Sequence, residues 1–467
     1  MVDFTAFFPT KILSNKILGS MKSCLKIGIL FLVAIFLCGG TFVNKDVQRM
    51  IDLRTNLVKD SYKITVDLIG EVSELYSFII PSAICKSKAF ISAKNERNYD
   101  LYFEEKISNY GCEYLFALNK TSVLYIETVY SKLLKPHPKE IHQSEKQLVK
   151  YSGNIYFFSH YKTAIQKTIL QLPSENIIYH SPLKPVSVLN NVITYGPYEN
   201  IKELSIYSLD IHYENQSPFL IVTNLERTIE VSHWGNIAVE ERINLIHSGA
   251  KLKGPFSRYE LQKDIRSEKS VIKSYKTVLP AAATSVYYRD SNGNISTSDI
   301  KITPDAVELE LKPRFSLFGG WKTNYILGYN VPSFEYLFNQ DETFLLKMRI
   351  IDHIYDDMNI EEATVKIILP EGSTRFELIT PFPVESKSNE VFYTYLDTIG
   401  RPVISFSKHN LVENHINDFS LKYTFPKLLM VQEPLLVVGF IFFMFVLVLL
   451  FIRLDFSLSK ESHRHKE

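Results

Sequence analysis

Cysteine is nearly missing from this chain: there are four in 467 residues, and Cys24 and Cys38 fall in or beside an apolar run near the N-terminus. That scarcity excludes a disulfide-built scaffold and a cysteine-rich zinc module, both of which need several regularly spaced thiols. Cys85 and Cys112 remain. In an oxidising compartment they would form one disulfide; otherwise they are two buried free thiols, and a single pair carries no pattern that decides between the two. Neither sign of charge is in excess, since 52 Lys and Arg face 51 Asp and Glu for a net charge of +1. With no basic block to displace phosphate counterions, no nucleic-acid partner is expected. A P-loop, a dinucleotide fingerprint, a zincin helix and a nucleophile elbow are all missing too. No catalytic, cofactor-binding or metal-binding set is assigned, and no cofactor is expected.

Aromatics are abundant instead, with 27 Tyr and 31 Phe, residues that suit a pleated, half-buried strand. Short alternating segments such as 307–311 (VELEL), 365–369 (VKIIL, ending at Pro370-Glu371-Gly372) and 421–425 (LKYTF) are separated by Gly, Pro and Asn turns. They predict a mainly β chain of two tandem β-sandwich-like domains. Two apolar runs frame these domains. Residues 27–38, preceded by Lys22 and Lys26 and followed by Gly39-Gly40, read as a signal peptide cleaved near Thr41, with residues 1–20 an extension ahead of Met21. Residues 435–452 carry no charge and are long enough to span a bilayer. Arg453, Lys460, Arg464 and Lys466 follow, which puts the tail in the cytosol and the bulk in the lumen. The expected organisation is a leader at 1–40, domains at 41–224 and 225–433, one transmembrane helix at 434–453 and a short tail at 454–467.

The most informative stretch is 230–259 (EVSHWGNIAVEERINLIHSGAKLKGPFSRY). Ile229, Val231, Ile237, Val239, Ile243 and Leu245 share one parity across Gly235-Asn236, which predicts a hairpin with a two-residue turn opening the second domain. Trp234 beside that turn is expected to pack on a sheet face. An internal echo supports two units: RMIDL at 49–53 against RTIEV at 227–231, and LYIETVY at 124–130 against NYILGY at 324–329. Asp352-His353 with Asp356-Asp357 offers metal-type donors, but at a spacing that reads as a solvated acidic loop. Gly319-Gly320 lacks the helix start that a phosphate cradle needs and reads as a bulged turn. Asn119, Asn215 and Asn294 head Asn-x-Ser/Thr triplets and are candidate N-glycosylation sites. Asn294 is the best placed, after the turn residues Asp290-Ser291-Asn292-Gly293, and Asn215 the worst, because Pro218 follows its triplet.

HWGNIAVEE at 233–241 and KGPFSRY at 253–259 resemble the ribophorin I family, the first subunit of the eukaryotic oligosaccharyltransferase complex. The similarity runs in family order through LPAAA (279–283), VYYRD (286–290), LFGGWKT (317–323), VKIILPEG (365–372), GRPV (400–403), QEPLLVV (432–438) and RLDFS (453–457). It is thinner in the first half, at IETVY (126–130), QSEKQ (143–147) and SPFL (217–220). The resemblance implies a non-catalytic accessory subunit, in the endoplasmic reticulum membrane, of the complex that transfers an oligosaccharide from dolichyl diphosphate to Asn-x-Ser/Thr. Its implied partners are the other subunits, including a polytopic catalytic one, together with membrane lipid, the nascent polypeptide and the translocon. The WWDYG signature of the catalytic subunit is missing here, so no catalytic residue carries over. Animal members extend into a long cytosolic domain near the ribosome, whereas this chain stops at Glu467 as fungal members do, so ribosome contact is not part of the expectation. A type I receptor or adhesin with tandem sandwiches is the alternative; it explains the topology but not the motif strings.

Overall fold

A computed structural model describes residues 41–69, 75–118, 122–263, 270–386 and 390–454. The leader at 1–40, the triplet at Asn119 and the tail from 455 onward lie outside the described residues. The chain divides into two compact units, one of residues before 138 with 148–215, the other of 138–147 with residues from 216 onward. The expected division at 224/225 is corrected, because an unbroken strand runs through it from Leu220 to Val231.

In the first unit, β1 (Thr41–Asp52), β2 (Val58–Ile69), β3 (Lys88–Asn95), β4 (Val123–Tyr130), β5 (Thr163–Gln171) and β6 (Val192–Ile201) lie in one sheet in the order β6-β5-β1-β2-β4-β3, extended at the β6 edge by Val186–Leu189. β1 runs parallel to β5 and antiparallel to β2. In the second unit, β7 (Leu220–Val231), β8 (Asn236–His247), β9 (Thr284–Asp290), β10 (Lys322–Pro332), β11 (Asn359–Ile368) and β12 (Arg401–Val412) lie in the order β12-β11-β7-β8-β10-β9. Here β7 runs parallel to β11 and antiparallel to β8. The two units therefore share one six-strand order with the parallel pair at the same place.

The internal echo can now be checked by register. Arg49 stands opposite Tyr62, which stands opposite Ile126; Arg227 stands opposite Glu241, which stands opposite Leu327. The two arginines are thus equivalent, as the sequence match implied. The second match is one residue out, since Ile126 corresponds to Leu327 and not to Ile326.

Period-2 alternation explains which side chains go inside. On β7 and β8, Leu225, Ile229, Val231, Ile237, Val239, Ile243 and Leu245 are all buried, and they share one core with Leu309, Leu346 and Leu421 from the smaller sheets. Each such side chain contributes roughly 1.5–3 kcal/mol by leaving water. That is sandwich packing. In the first unit Tyr62 of β2 meets Phe78 edge-on at 5.3 Å across to the strand Leu75–Pro81. Cys85 and Cys112 are joined there with Cα atoms 5.9 Å apart, which ties the short turn Ser82–Cys85 to the strand Gly111–Ala117. The chain ends in α1 (Gln432–Arg453), a helix with no buried residue. At about 1.5 Å per residue it covers a hydrocarbon core of about 30 Å.

Candidate functional site

The hairpin at the centre of the sequence has a longer loop than its Gly-Asn pair implies. Val231 pairs with Ile237, and the Ser232 amide donates to the Asn236 carbonyl at 3.0 Å, so His233, Trp234 and Gly235 form the tip. Gly235 sits at φ +107°, a backbone conformation that L side chains rarely adopt. The expected packing of Trp234 on a sheet face is corrected: its side chain is 66% exposed. A three-residue loop carries position 234 past the last rung of the ladder, where no facing strand covers it. His233 turns inward instead. Its ring stacks on Phe344 at 4.3 Å, meets Phe425 edge-on at 4.4 Å, and places Nε2 2.7 Å from the Tyr423 hydroxyl. Burial pushes its pKa down to about 4, so the ring is neutral at neutral pH, the form that an apolar stack accepts.

Beside this tip a cleft of about 80 Å³ is lined by His233, Trp234, Glu371, Arg401, Leu429 and Gln432, among others. Glu371 organises it. One carboxylate oxygen accepts the amides of Thr398 (2.8 Å), Ile399 and Gly400 (2.9 Å), and the other accepts the Gln432 side-chain amide at 2.9 Å. Burial alone would raise the Glu371 pKa, but these donors hold it below its ordinary value. Arg401 donates to Glu230 and Glu433 at 2.9 Å each and to Asp397 at 3.2 Å. Two side chains in the first turn of α1, Gln432 and Glu433, are therefore fastened to the folded domain. Sequence reasoning missed this joint. Glu371 and Arg401 do stand in two of the quoted strings, VKIILPEG and GRPV, but nothing in the linear order brings them together.

The acidic stretch after 350 is the second correction. Asp352 is fully buried, not solvated. Arg227 donates to Asp352 at 2.7 Å and to Glu241, and its other terminal nitrogen reaches the Tyr329 hydroxyl at 3.1 Å; that hydroxyl in turn donates to Asp352 at 2.5 Å. Burial opposes the Arg227 charge, but Asp352, Tyr329 and Glu241 outweigh it and hold its pKa well above the usual value. Glu241 is pushed upward by burial, against the pull of Arg227. The first unit holds a simpler version, in which Arg49 grips Asp60 through two bonds of 3.2 and 2.7 Å and the Tyr62 hydroxyl donates to the same acid at 2.9 Å. Sealed in the core, the Arg227 network holds strands together and presents nothing to a substrate, whereas Arg49 and Tyr62 of the first unit also line a cavity of about 290 Å³ with Tyr130, Tyr151 and Phe157. His353 faces the other way, with Nε2 2.9 Å from Glu413 and 3.2 Å from Asp356. The hydrogen bond to Glu413 raises its pKa, so the imidazole itself can supply the positive charge between the two acids.

Among the sequons, Asn294 is exposed at a hairpin tip whose Asp290 is gripped by Arg314 at 2.6 and 2.8 Å. Asn215 is corrected as a candidate: it is fully buried with its amide 3.4 Å from the Leu53 carbonyl, which leaves a glycan no room. Gly319 is required by close approach, since a Cβ there would meet the Ala250 carbonyl oxygen at 1.8 Å, and Gly320 takes φ +84°. The glycine pair serves backbone packing.

A family model described as Ribophorin I matches residues 42–452. The chain is 37% identical to dolichyl-diphosphooligosaccharide–protein glycosyltransferase subunit 1 of Caenorhabditis elegans, over 93% of this chain and 77% of that one. It is 34% identical to subunit 1B of the same enzyme from Arabidopsis thaliana, over 89% and 94%, and 32% identical to subunit 1A of that plant, over 93% and 74%. Among solved structures, an M1 zinc metallopeptidase from Deinococcus radiodurans aligns with 45% of this chain and 43% of that one, at 10% identity and a TM-score of 0.27, too remote to inform fold or function.

Proposed function

This chain belongs to the ribophorin I family, and from that premise we propose that it serves as a non-catalytic accessory subunit of the oligosaccharyltransferase, which N-glycosylates nascent proteins at Asn-x-Ser/Thr. The observation that carries this is similarity across residues 42–452, covering both units and the helix, together with relatives named as subunit 1 of that enzyme. The chain is a subunit of this complex in the endoplasmic reticulum membrane, and the one helix among the described residues that is long and apolar enough to cross a bilayer fits a single span.

The transfer chemistry belongs to another, polytopic subunit. Supporting this, the most perturbed acid group of the second unit, around Arg227, is wholly buried and charge-paired, so no acceptor peptide can reach it. The two β units face the lumen and the tail faces the cytosol, supported by Arg453, Lys460, Arg464 and Lys466 after the span. Membrane lipid, the nascent polypeptide and the translocon complete its surroundings. Purification from membranes in mild detergent is expected to recover the chain with a polytopic partner bearing WWDYG. A chain recovered alone, with glycosylation unaffected by its depletion, would refute the reading.

Asn294 carries a glycan in this orientation. Glycosidase treatment is expected to lower the mass of the chain, and Asn294→Gln to remove one glycan's share of that loss, whereas Asn215→Gln leaves it unchanged. An unaltered loss in Asn294→Gln would exclude the site.

A further inference from the structure

No flexible linker separates α1 from the second unit. The turn Lys427–Val431 leads straight into it, Leu429 and Met430 pack against the core, and Glu371 and Arg401 hold the first helical turn. Large apolar side chains surround this exit. Trp234 is at the hairpin tip, and Phe334, 76% exposed, follows Ser333, whose amide donates to the Gly235 carbonyl at 3.1 Å. Ile399 is 74% exposed and Tyr395 is fully so, on the loop that Glu371 grips. Leu428 is 81% exposed in the turn before the helix.

Isolated exposed apolar residues are ordinary, but a ring of them on one end of a folded unit marks a surface that is covered in use. Here the helix that leaves through the ring indicates the cover, because its unbroken apolar surface starts at Leu435, one turn beyond Val431. The composition agrees: Trp and Tyr concentrate at the headgroup level, where one end of the ring system is apolar and the other wet. Two of the charges at this end are already paired, Glu371 with amides and Arg401 with three carboxylates, so approach to the bilayer leaves neither of them unpartnered; Lys427 and Glu335, beside Leu428 and Phe334, are exposed. We propose that the end of the second unit carrying Trp234, Phe334, Tyr395, Ile399 and Leu428 rests on the phospholipid surface, with these side chains at the boundary between headgroups and acyl chains. The inference rests on α1 spanning the membrane.

The sequence has two tryptophans, so Trp321→Phe in the full chain leaves Trp234 as the reporter. Reconstituted in phosphatidylcholine nanodiscs, Trp234 emission is expected to be lost when the acyl chains are brominated near the headgroup end, and to be protected from aqueous iodide. Emission indifferent to bromine and open to iodide would overturn the proposal and leave this surface to a protein partner. A nitroxide on Leu447→Cys, in the second half of α1, separates the two failures. If that label senses lipid while Trp234 does not, only the docking fails; if neither does, the span is wrong as well. Should Trp321→Phe fail to fold, a nitroxide on Ile399→Cys in the otherwise unaltered chain gives the same reading.

Discussion

Arg227→Met is expected to destabilise the second unit by about 3–5 kcal/mol, the cost of removing one partner from a buried charge group. Glu241 and Asp352 would then lie in the core with no cation, since both are buried and both are bonded to Arg227. Relief comes by protonation of Glu241, whose folded pKa burial already holds above its ordinary value and which would lose the opposing pull of Arg227. The variant's stability is therefore lost as pH rises through the carboxylate range, so the deficit is larger at alkaline than at acid pH. Adding Glu241→Gln and Asp352→Asn should recover part of it, because neutral amides carry a smaller burial cost. Denaturant midpoints of the detergent-solubilised chain measure all of this; a midpoint unmoved by Arg227→Met would show that the network holds nothing together.

Glu371→Ala should loosen the junction between the second unit and α1. The change leaves the amides of Thr398, Ile399 and Gly400 and the side chain of Gln432 without their acceptor. A buried donor left unpaired costs about 1–3 kcal/mol, less wherever water can enter. The folded pKa of Glu371 is depressed below the ordinary 4.5, so the stability it contributes is present above that value and is lost as pH falls through the folded one. Lys427 stands in the turn that would come free. Trypsin should therefore cut there several-fold faster in Glu371→Ala than in the parent chain, with Glu371→Gln intermediate because its carbonyl still accepts. Equal cleavage in all three would mean that other contacts hold the helix in place.

Much of this protein could be read one residue after another. The parity of Ile229, Val231, Ile237 and Val239 placed the hairpin core, because alternation is a property of contiguous residues on a pleated backbone. The uncharged run from 435 to 452 similarly marked the helix. The echo of Arg49 in Arg227 marked the repeat, and the strand registers agree with it. Even the strings that resemble one family needed only their order.

Four features escaped that reading, all for one reason. The loop at 233–235, the outward turn of Trp234, the burial of Asp352 and the Glu371–Arg401 joint depend on what lies opposite in space. Asp352 is 125 residues from the arginine that neutralises it; read in sequence it is one more acid in a polar stretch. Glu433 is 32 residues from Arg401, and only the packing of β11 and β12 brings the helix start within reach. The sequence by itself determined strand parity, the two-unit repeat, the membrane helix and the family. The tertiary structure decided which charges are sealed inside and which aromatic ring points out, because burial and pairing are set by neighbours that the chain order does not name.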